Sequence, residues 1–364
     1  LNMSQYIFIL GNNPELSQAE IISVLPQAKT LSKDREFLVL ENDEMDTKEL
    51  MDKLGGTVKI GKVLGREINE SQILEIASSL PSDKRFNFGF SFYRMKPVNP
   101  GLRIKKILKE KNVRSRLVVS REPVLSSVIV TKEKCHDFLV LPGYFGLTAA
   151  VQDFKDYGLK DFGRPASDPY SGMLPPKVAK MMINLLGLDL KEKTLLDPFC
   201  GSGTVLAEAI ILGSKKVIGL DISAKAVSDA KENIAWTLKT FALNTQVRIE
   251  QSDVKNLSQK AERIDAIVTE PYLGPAIRGG EDISAIRKEL VKLYLSAFKE
   301  FSLVLNPNGR IVVVFPEWHL ENTAKLDIFP EIEKMGLKRL DQGDLMYHRE
   351  KQKVWRQITI WQYV

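Results

Sequence analysis

Residues 194–199 predict a strand whose last three residues open the segment Asp197-Pro198-Phe199-Cys200-Gly201-Ser202-Gly203-Thr204, and a largely apolar stretch predicted as a helix follows at once at residues 205–212. Two glycines in so short a turn let the backbone take angles that other residues resist, and let it approach a ligand closely. A strand that turns this tightly into a helix is a β-α unit, and from residue 171 the alternation repeats. Strands are predicted at 216–221, 247–251, 266–269 and 310–315, the last after a turn at 306–309. Helices are predicted at 177–186 (introduced by Pro175-Pro176), 224–239 and 283–305. Strands separated by helices of this size build a doubly wound parallel sheet. Two further strands, 345–348 and 354–362, predict an antiparallel hairpin at one edge.

Three acids close successive strands: Asp197, Asp221 and Asp253. In a parallel sheet such positions converge on one crevice beyond the carboxyl ends of the strands. The helix that starts at Thr204 turns its positive end toward the same place and favours an anionic group there. Asp221, roughly 20 residues past the turn, is placed to bind ribose hydroxyls, and Asp253 to accept from an adenine amine. Each acid taken singly would serve equally well as a helix cap. The third glycine of a nicotinamide-binding turn is missing. Cys200 reads as small packing, since nothing beside it would activate a thiol.

The segment Thr269-Glu270-Pro271-Tyr272 follows the fourth strand. It resembles the signature of amino-methylating class I enzymes, an Asp, Asn or Ser followed by Pro-Pro and an aromatic residue. An exocyclic base amine is a poor nucleophile because its lone pair is delocalised into the ring. Such a site needs acceptors for the developing charge and an aromatic face for a splayed-out base. Pro271 and Tyr272 match the signature, whereas Thr269 and Glu270 depart from it. Either Glu270 supplies the carboxylate from the neighbouring position, or the activity is altered.

A chain of 364 residues is long enough for two or three domains. Residues 1–64 predict a small α+β unit of the ferredoxin-like kind, with strands at 6–10, 36–40 and 58–64 and helices at 17–25 and 48–54. Ser17 is the expected N-cap of the first helix, with Glu20 completing a capping box. Residues 65–148 predict a second unit, with strands at 86–93, 113–120, 127–130 and 138–141. Its helix at 102–111 would pack through Leu102, Ile107 and Leu108. Residues 149–170 read as a linker, and 171–364 as the catalytic domain.

The net charge is +6 and the pI about 9.0. Residues 84–121 hold twelve basic side chains and one acid, Glu110. The alternative to a polyanion-binding surface is a solvated helix face. Arg103, Lys105, Lys106, Lys109, Arg114 and Arg116 are the candidate RNA-binding residues. No apolar run approaches the roughly 18 residues that span a bilayer, so no membrane partner is expected. Two cysteines and three histidines, His136, His319 and His348, show no ligand spacing. No metal is expected, the histidines read as surface or packing residues, and a reducing cytoplasm is the expected compartment.

Over nearly its whole length the chain resembles the THUMP-containing tRNA guanine-N2 methyltransferases of the guanine-10 type. The likeness is carried by residues 6–11, 14–17, 54–60, 90–93 and 125–127, by Arg164-Pro165 and by residues 171–177. It implies a Rossmann-like class I methyltransferase domain, preceded by a ferredoxin-like domain and a THUMP-like domain that grips the acceptor end of tRNA. It implies S-adenosylmethionine as cofactor, held by Asp197, Phe199, Gly201, Gly203, Thr204, Asp221, Ile222, Asp253 and Val254. It places Pro271 and Tyr272, with Thr269 or Glu270, against the target base. Adenine-N6 methylation of RNA or DNA stays open, as does a non-catalytic tRNA-binding factor. A monomer is expected, with room for a small activating subunit. The loop 275–284, with Arg278, Gly279 and Gly280, is expected to close over the flipped base.

Overall fold

Tyr6 to Leu10 are all buried, and a run buried on both faces makes β1 (Met3–Leu10) an interior strand. The computed structural model describes residues 3–81, 83–166, 173–260, 263–278, 280–320, 323–350 and 352–364. Ser171, Gly172 and Gly279, all invoked above, lie outside the described residues. The chain divides into two units, Leu1–Gln18 with Gln27–Asp156, and Ala19–Pro26 with Tyr157–Val364.

After β1 come α1 (Pro14–Val24), β2 (Lys29–Lys33), β3 (Phe37–Asp43), α2 (Thr47–Lys53), β4 (Thr57–Gly65), α3 (Glu70–Ser78), β5 (Phe86–Phe92) and α4 (Gly101–Glu110). Then follow β6 (Ser115–Leu117), α5 (Ser127–Lys132), β7 (His136–Leu141), β8 (Tyr144–Val151) and α6 (Phe154–Phe162). The eight strands form one sheet in the order β2-β3-β1-β4-β8-β7-β5-β6. β1 to β4 are antiparallel neighbours in a split β-α-β-β-α-β order. β4 pairs with β8, so residues 1–64 and 65–148 share that sheet, and position 64 falls within β4.

Several local expectations are corrected. α1 starts at Pro14, so Ser17 is not its cap; Ser17 Oγ donates to the carbonyls of Asn13 (2.8 Å) and Gly56 (3.0 Å). Glu20 accepts from Asn184 Nδ2 at 2.7 Å and closes no capping box. Residues 127–130 are helical, not a strand. Ser126 caps α5 through the amide of Ile129, and Val130 packs with Val118, Leu125 and Cys135, which outweighs the β-branched composition. The strand expected at 113–120 shrinks to β6. On α4 the buried positions are Gly101, Ile104 and Leu108, one face at helical period, while Leu102 is 64% exposed. β2 and α3 were not anticipated. Residues 149–151 complete β8 and α6 fills much of the expected linker, Asp153 accepting from the amides of Lys155 and Asp156.

The second unit contains α7 (Pro176–Asn184), β9 (Thr194–Asp197), α8 (Thr204–Ile211), β10 (Lys216–Asp221), α9 (Ala224–Thr240), β11 (Gln246–Gln251), α10 (Leu257–Lys260) and β12 (Ile264–Thr269). The remaining elements are α11 (Ile283–Val304), β13 (Leu305–His319), β14 (Thr323–Lys325), α12 (Phe329–Glu333), β15 (Leu337–Tyr347) and β16 (Val354–Tyr363). The sheet order is β11-β10-β9-β12-β13-β16-β15. β11 to β13 are parallel, and β16 and β15 add antiparallel strands at one edge. The turn expected at 306–309 is an irregularity within β13, with Asn308 at φ 64°. Phe298 of α11 lies 5.8 Å from Phe315 and 5.7 Å from Trp361, ring centre to ring centre. Each such burial is worth about 1.5–3 kcal/mol, and this cluster fixes β13 and β16 beneath the site.

Candidate active site

Strand order reverses between β9 and β12, and a crevice opens beyond their carboxyl ends, as at any topological switch point. The cavity there measures about 690 Å³. Asp197, Phe199, Gly201, Thr204, Asp221, Ile222, Asp253, Val254, Glu270, Pro271 and Tyr272 all line it. Gly203 and Thr269 do not.

Gly203 instead shapes the turn. Its φ is +86°, and a Cβ there would meet Ala230 of α9 at 3.3 Å. Gly201 (φ +50°) faces open space, and its amide donates to Asp221 Oδ2 at 2.9 Å. Asp221 Oδ1 accepts from the amide of Ser223, also at 2.9 Å, which fixes the carboxylate at the mouth of the cavity. Asp253 caps the helical turn at 254–256 through the amide of Lys255. Asp253 therefore caps this turn and also lines the cavity. Ile222 is 68% exposed and Tyr272 58%, large apolar surfaces left beside a cavity. Cys200 is buried, and burial pushes its thiol well above the ordinary range, as packing requires.

Thr269 is fully buried and its hydroxyl donates a hydrogen bond to Asp197 Oδ1 at 2.6 Å, tying the ends of β12 and β9 together. Burial pushes Asp197 up to about 7, against the Thr269 hydroxyl and the Phe199 amide, which favour its charge; Asp221 and Glu270 raise it further. An acid raised on folding contributes stability that is complete below its unfolded value, near 4, and lost as pH rises through about 7. Asp197→Asn is therefore expected to melt higher than the parent at pH 8 without ligand, and to lose that advantage at pH 4–5. Thermal melts across this range check it; a difference that does not vary with pH contradicts it.

Glu270 lies at the rim, and its carboxylate takes both Nε (2.5 Å) and Nη2 (3.2 Å) of Arg356 on β16. Arg356 is nearly buried. Burial works against its charge, yet the hydrogen bond and field of Glu270 hold its pKa above the ordinary value. Sequence reading missed Arg356. Its one signal is a cation in the otherwise apolar and neutral run at 354–362. Tyr272 and Glu270 thus offer an aromatic face and a fixed anion side by side at a cavity built from nucleoside-compatible residues. In the loop 275–284, the amide of Arg278 donates to Glu281.

The basic residues lie on the first unit. Lys105, Lys106, Lys109 and Arg114 line a shallow cavity of about 550 Å³ with Leu102 and Asn112. Arg103 pairs with Glu70, and Arg116 with Glu133 at 2.5 Å. His136 lies 4.8 Å from the Phe86 ring, and His319 and His348 each stack on the Trp355 ring, at 3.6 and 3.7 Å between ring centres.

Comparison with known proteins finds two family models. A methyltransferase domain described as RMKL-like (UPF0020) matches residues 167–347, and a DNA methylase model matches residues 23–232, which stops short of Glu270. The tRNA (guanine(10)-N2)-dimethyltransferase of Pyrococcus abyssi is 25% identical over 322 residues, 85% of this chain and 88% of that protein. The enzyme of the same name from Methanothermobacter thermautotrophicus is 36% identical, over 35% of this chain; that match spans 37% of its length. The crystal structure of TrmN from Thermus thermophilus covers 100% of both chains at a TM-score of 0.53 and 16% identity, a likeness of fold. No helix among the described residues is long and apolar enough to cross a membrane.

Proposed function

We propose, because residues 167–347 match the RMKL-like (UPF0020) methyltransferase domain, that the chain methylates N2 of a guanine in tRNA. The enzyme uses S-adenosylmethionine, whose sulfonium supplies an electrophilic methyl group when bound. The residues present suit that cofactor. The start of α8 faces the cavity with positive potential; Asp221 stands ready for ribose hydroxyls; Ile222 and Val254 offer apolar faces for a purine.

The observation that carries the base assignment is the Glu270–Arg356 pair. Guanine presents two donors side by side, N1–H and N2–H, and a fixed carboxylate accepts from both. Adenine presents one donor beside a bare ring nitrogen, which a carboxylate repels. Glu270 orients the amine and stabilises the positive charge that develops on it, Tyr272 holds the base by its face, and Thr269 acts behind them through Asp197. The relatives named for guanine-10 of tRNA support the same substrate. The decisive experiment is transfer of labelled methyl to unmodified tRNA followed by nucleoside analysis. Label in N2-methylguanosine is expected; label in N6-methyladenosine would overturn the base assignment, and no transfer would overturn the activity on tRNA.

The groove beside α4 is the proposed contact to the phosphate backbone. Each neutralised phosphate contributes about 0.7–0.9 to the slope of log affinity against log salt. Changing Lys105, Lys106 and Lys109 together to Glu is expected to weaken tRNA binding and to lower that slope by about two or more. Filter binding at several salt concentrations measures both, and an unchanged slope removes these lysines from the interface.

A further inference from the structure

Arg164 and Pro165 precede the catalytic domain, and the mechanism above leaves them without a part. Arg164 Nη1 donates to Thr204 Oγ1 at 2.7 Å, at the first residue of α8. Two residues on, Ala166 is gripped by Asn233 of α9. Asn233 Oδ1 accepts from the Ala166 amide (3.0 Å), and Asn233 Nδ2 donates to the Ala166 carbonyl (2.9 Å). The same Nδ2 donates to the carbonyl of Ser202 inside the glycine turn, also at 2.9 Å. Asn233 is fully buried. Immediately before the first anchor the backbone is closely packed: a Cβ on Gly163 would strike the Leu159 carbonyl at 2.6 Å and Trp236 at 3.2 Å. Residues 163–166 are therefore a strap fastened to both ends of the turn Ser202–Thr204, whose end residues Ser202 and Thr204 line the cavity.

The electrostatics separate a fastening role from a purely structural one. A helix N-terminus carries partial positive charge, so a cation there is unfavourable for the fold. Burying a guanidinium adds a desolvation cost, and burial does lower the pKa of Arg164 against the fields of Glu208 and Asp161. A neutral donor would satisfy Thr204 without either cost. What the cation adds is positive potential at the start of α8, where a carboxylate would sit. We infer that Arg164 is a positioning residue that holds the Ser202–Thr204 turn and its positive field in place for the carboxylate end of the methyl donor. The inference rests on the cofactor reading above and not on the choice of base.

The test compares Arg164→Gln, which keeps a donor and loses the charge, with Arg164→Lys, which keeps the charge. S-adenosylhomocysteine affinity is measured by calorimetry, KM for S-adenosylmethionine and kcat by methyl transfer, and folding by the unliganded melting midpoint. Arg164→Gln is expected to raise both Kd and KM about tenfold while kcat at saturating donor stays within about twofold. Arg164→Lys is expected to recover most of the affinity. Wild-type affinity in the Gln variant overturns the inference, as does a loss in kcat with KM unchanged. Equal losses in both variants that track a lowered melting midpoint also overturn it, because they mark a structural role. Should the Gln variant not fold, the Lys variant decides: near-native affinity supports the role of charge and a tenfold loss refutes it. A parent protein that binds no S-adenosylhomocysteine would instead refute the cofactor reading itself.

Discussion

Glu270→Gln is expected to bind S-adenosylhomocysteine as the parent does and to transfer methyl groups about 10²–10³-fold more slowly, the usual cost of losing one preorganised group at a developing charge. Gln preserves the size of the side chain and one acceptor, so the loss reports the charge and the second acceptor. Two consequences separate this role from general damage. The deficit should lie in kcat and leave KM for the donor unchanged, because Glu270 meets the amine and not the cofactor. Arg356 should matter only through Glu270, so Arg356→Met added to Glu270→Gln should cost little more than either change alone. Additive losses in that cycle would show that Arg356 acts on the substrate independently. The Gln variant also leaves the nearly buried Arg356 without its anion, so its melting midpoint should fall, and rates are to be compared well below it.

The catalytic half was legible because its signals are local. Strand, glycine turn and helix lie within residues 194–212, and three acids at strand ends need only the parallel topology to converge. The residues missed there act across large separations. Arg356 reaches Glu270 over 86 positions, and Asn233 reaches Ala166 over 67. Neither partner can be read from a neighbouring pattern. Thr269 and Glu270 show the finer limit: sequence left either as the acceptor, and only the pleat of the folded strand separates their positions, turning Thr269 inward to Asp197 and leaving Glu270 at the cavity. In the first half, tertiary packing overrode propensity at residues 127–130, and one sheet runs through segments that read as separate. Lys59, a cation within the strand predicted at 58–64, is buried.

Lys59→Met is expected to destabilise the first unit by about 3–5 kcal/mol, the range for removing one partner of a buried ion pair. Lys59 Nζ donates to Asp137 Oδ2 (2.5 Å), to the Leu125 carbonyl (2.6 Å) and to Ser91 Oγ (3.3 Å). Asp137 also accepts from Ser91 (2.7 Å) and Thr148 (3.2 Å). Side-chain exposures of 2% and 0% leave water no access to the pair. Its members stand on β4, β5, β7 and β8, so a single cation and a single anion pin four adjoining strands in register. Met fills the same space without the charge and leaves the Asp137 carboxylate buried with two hydroxyls for company. That is too little to offset its desolvation. Asp137→Leu in the Lys59→Met background removes the stranded charge and should recover part of the loss, although the Ser91 and Thr148 hydroxyls then want partners. Denaturant unfolding followed by a probe in the first unit measures both variants, since two units need not unfold together. A single variant within 1 kcal/mol of the parent would mean that the pair contributes little. A double variant worse than the single would mean that the surrounding hydroxyls, rather than the ion pair, hold the four strands together.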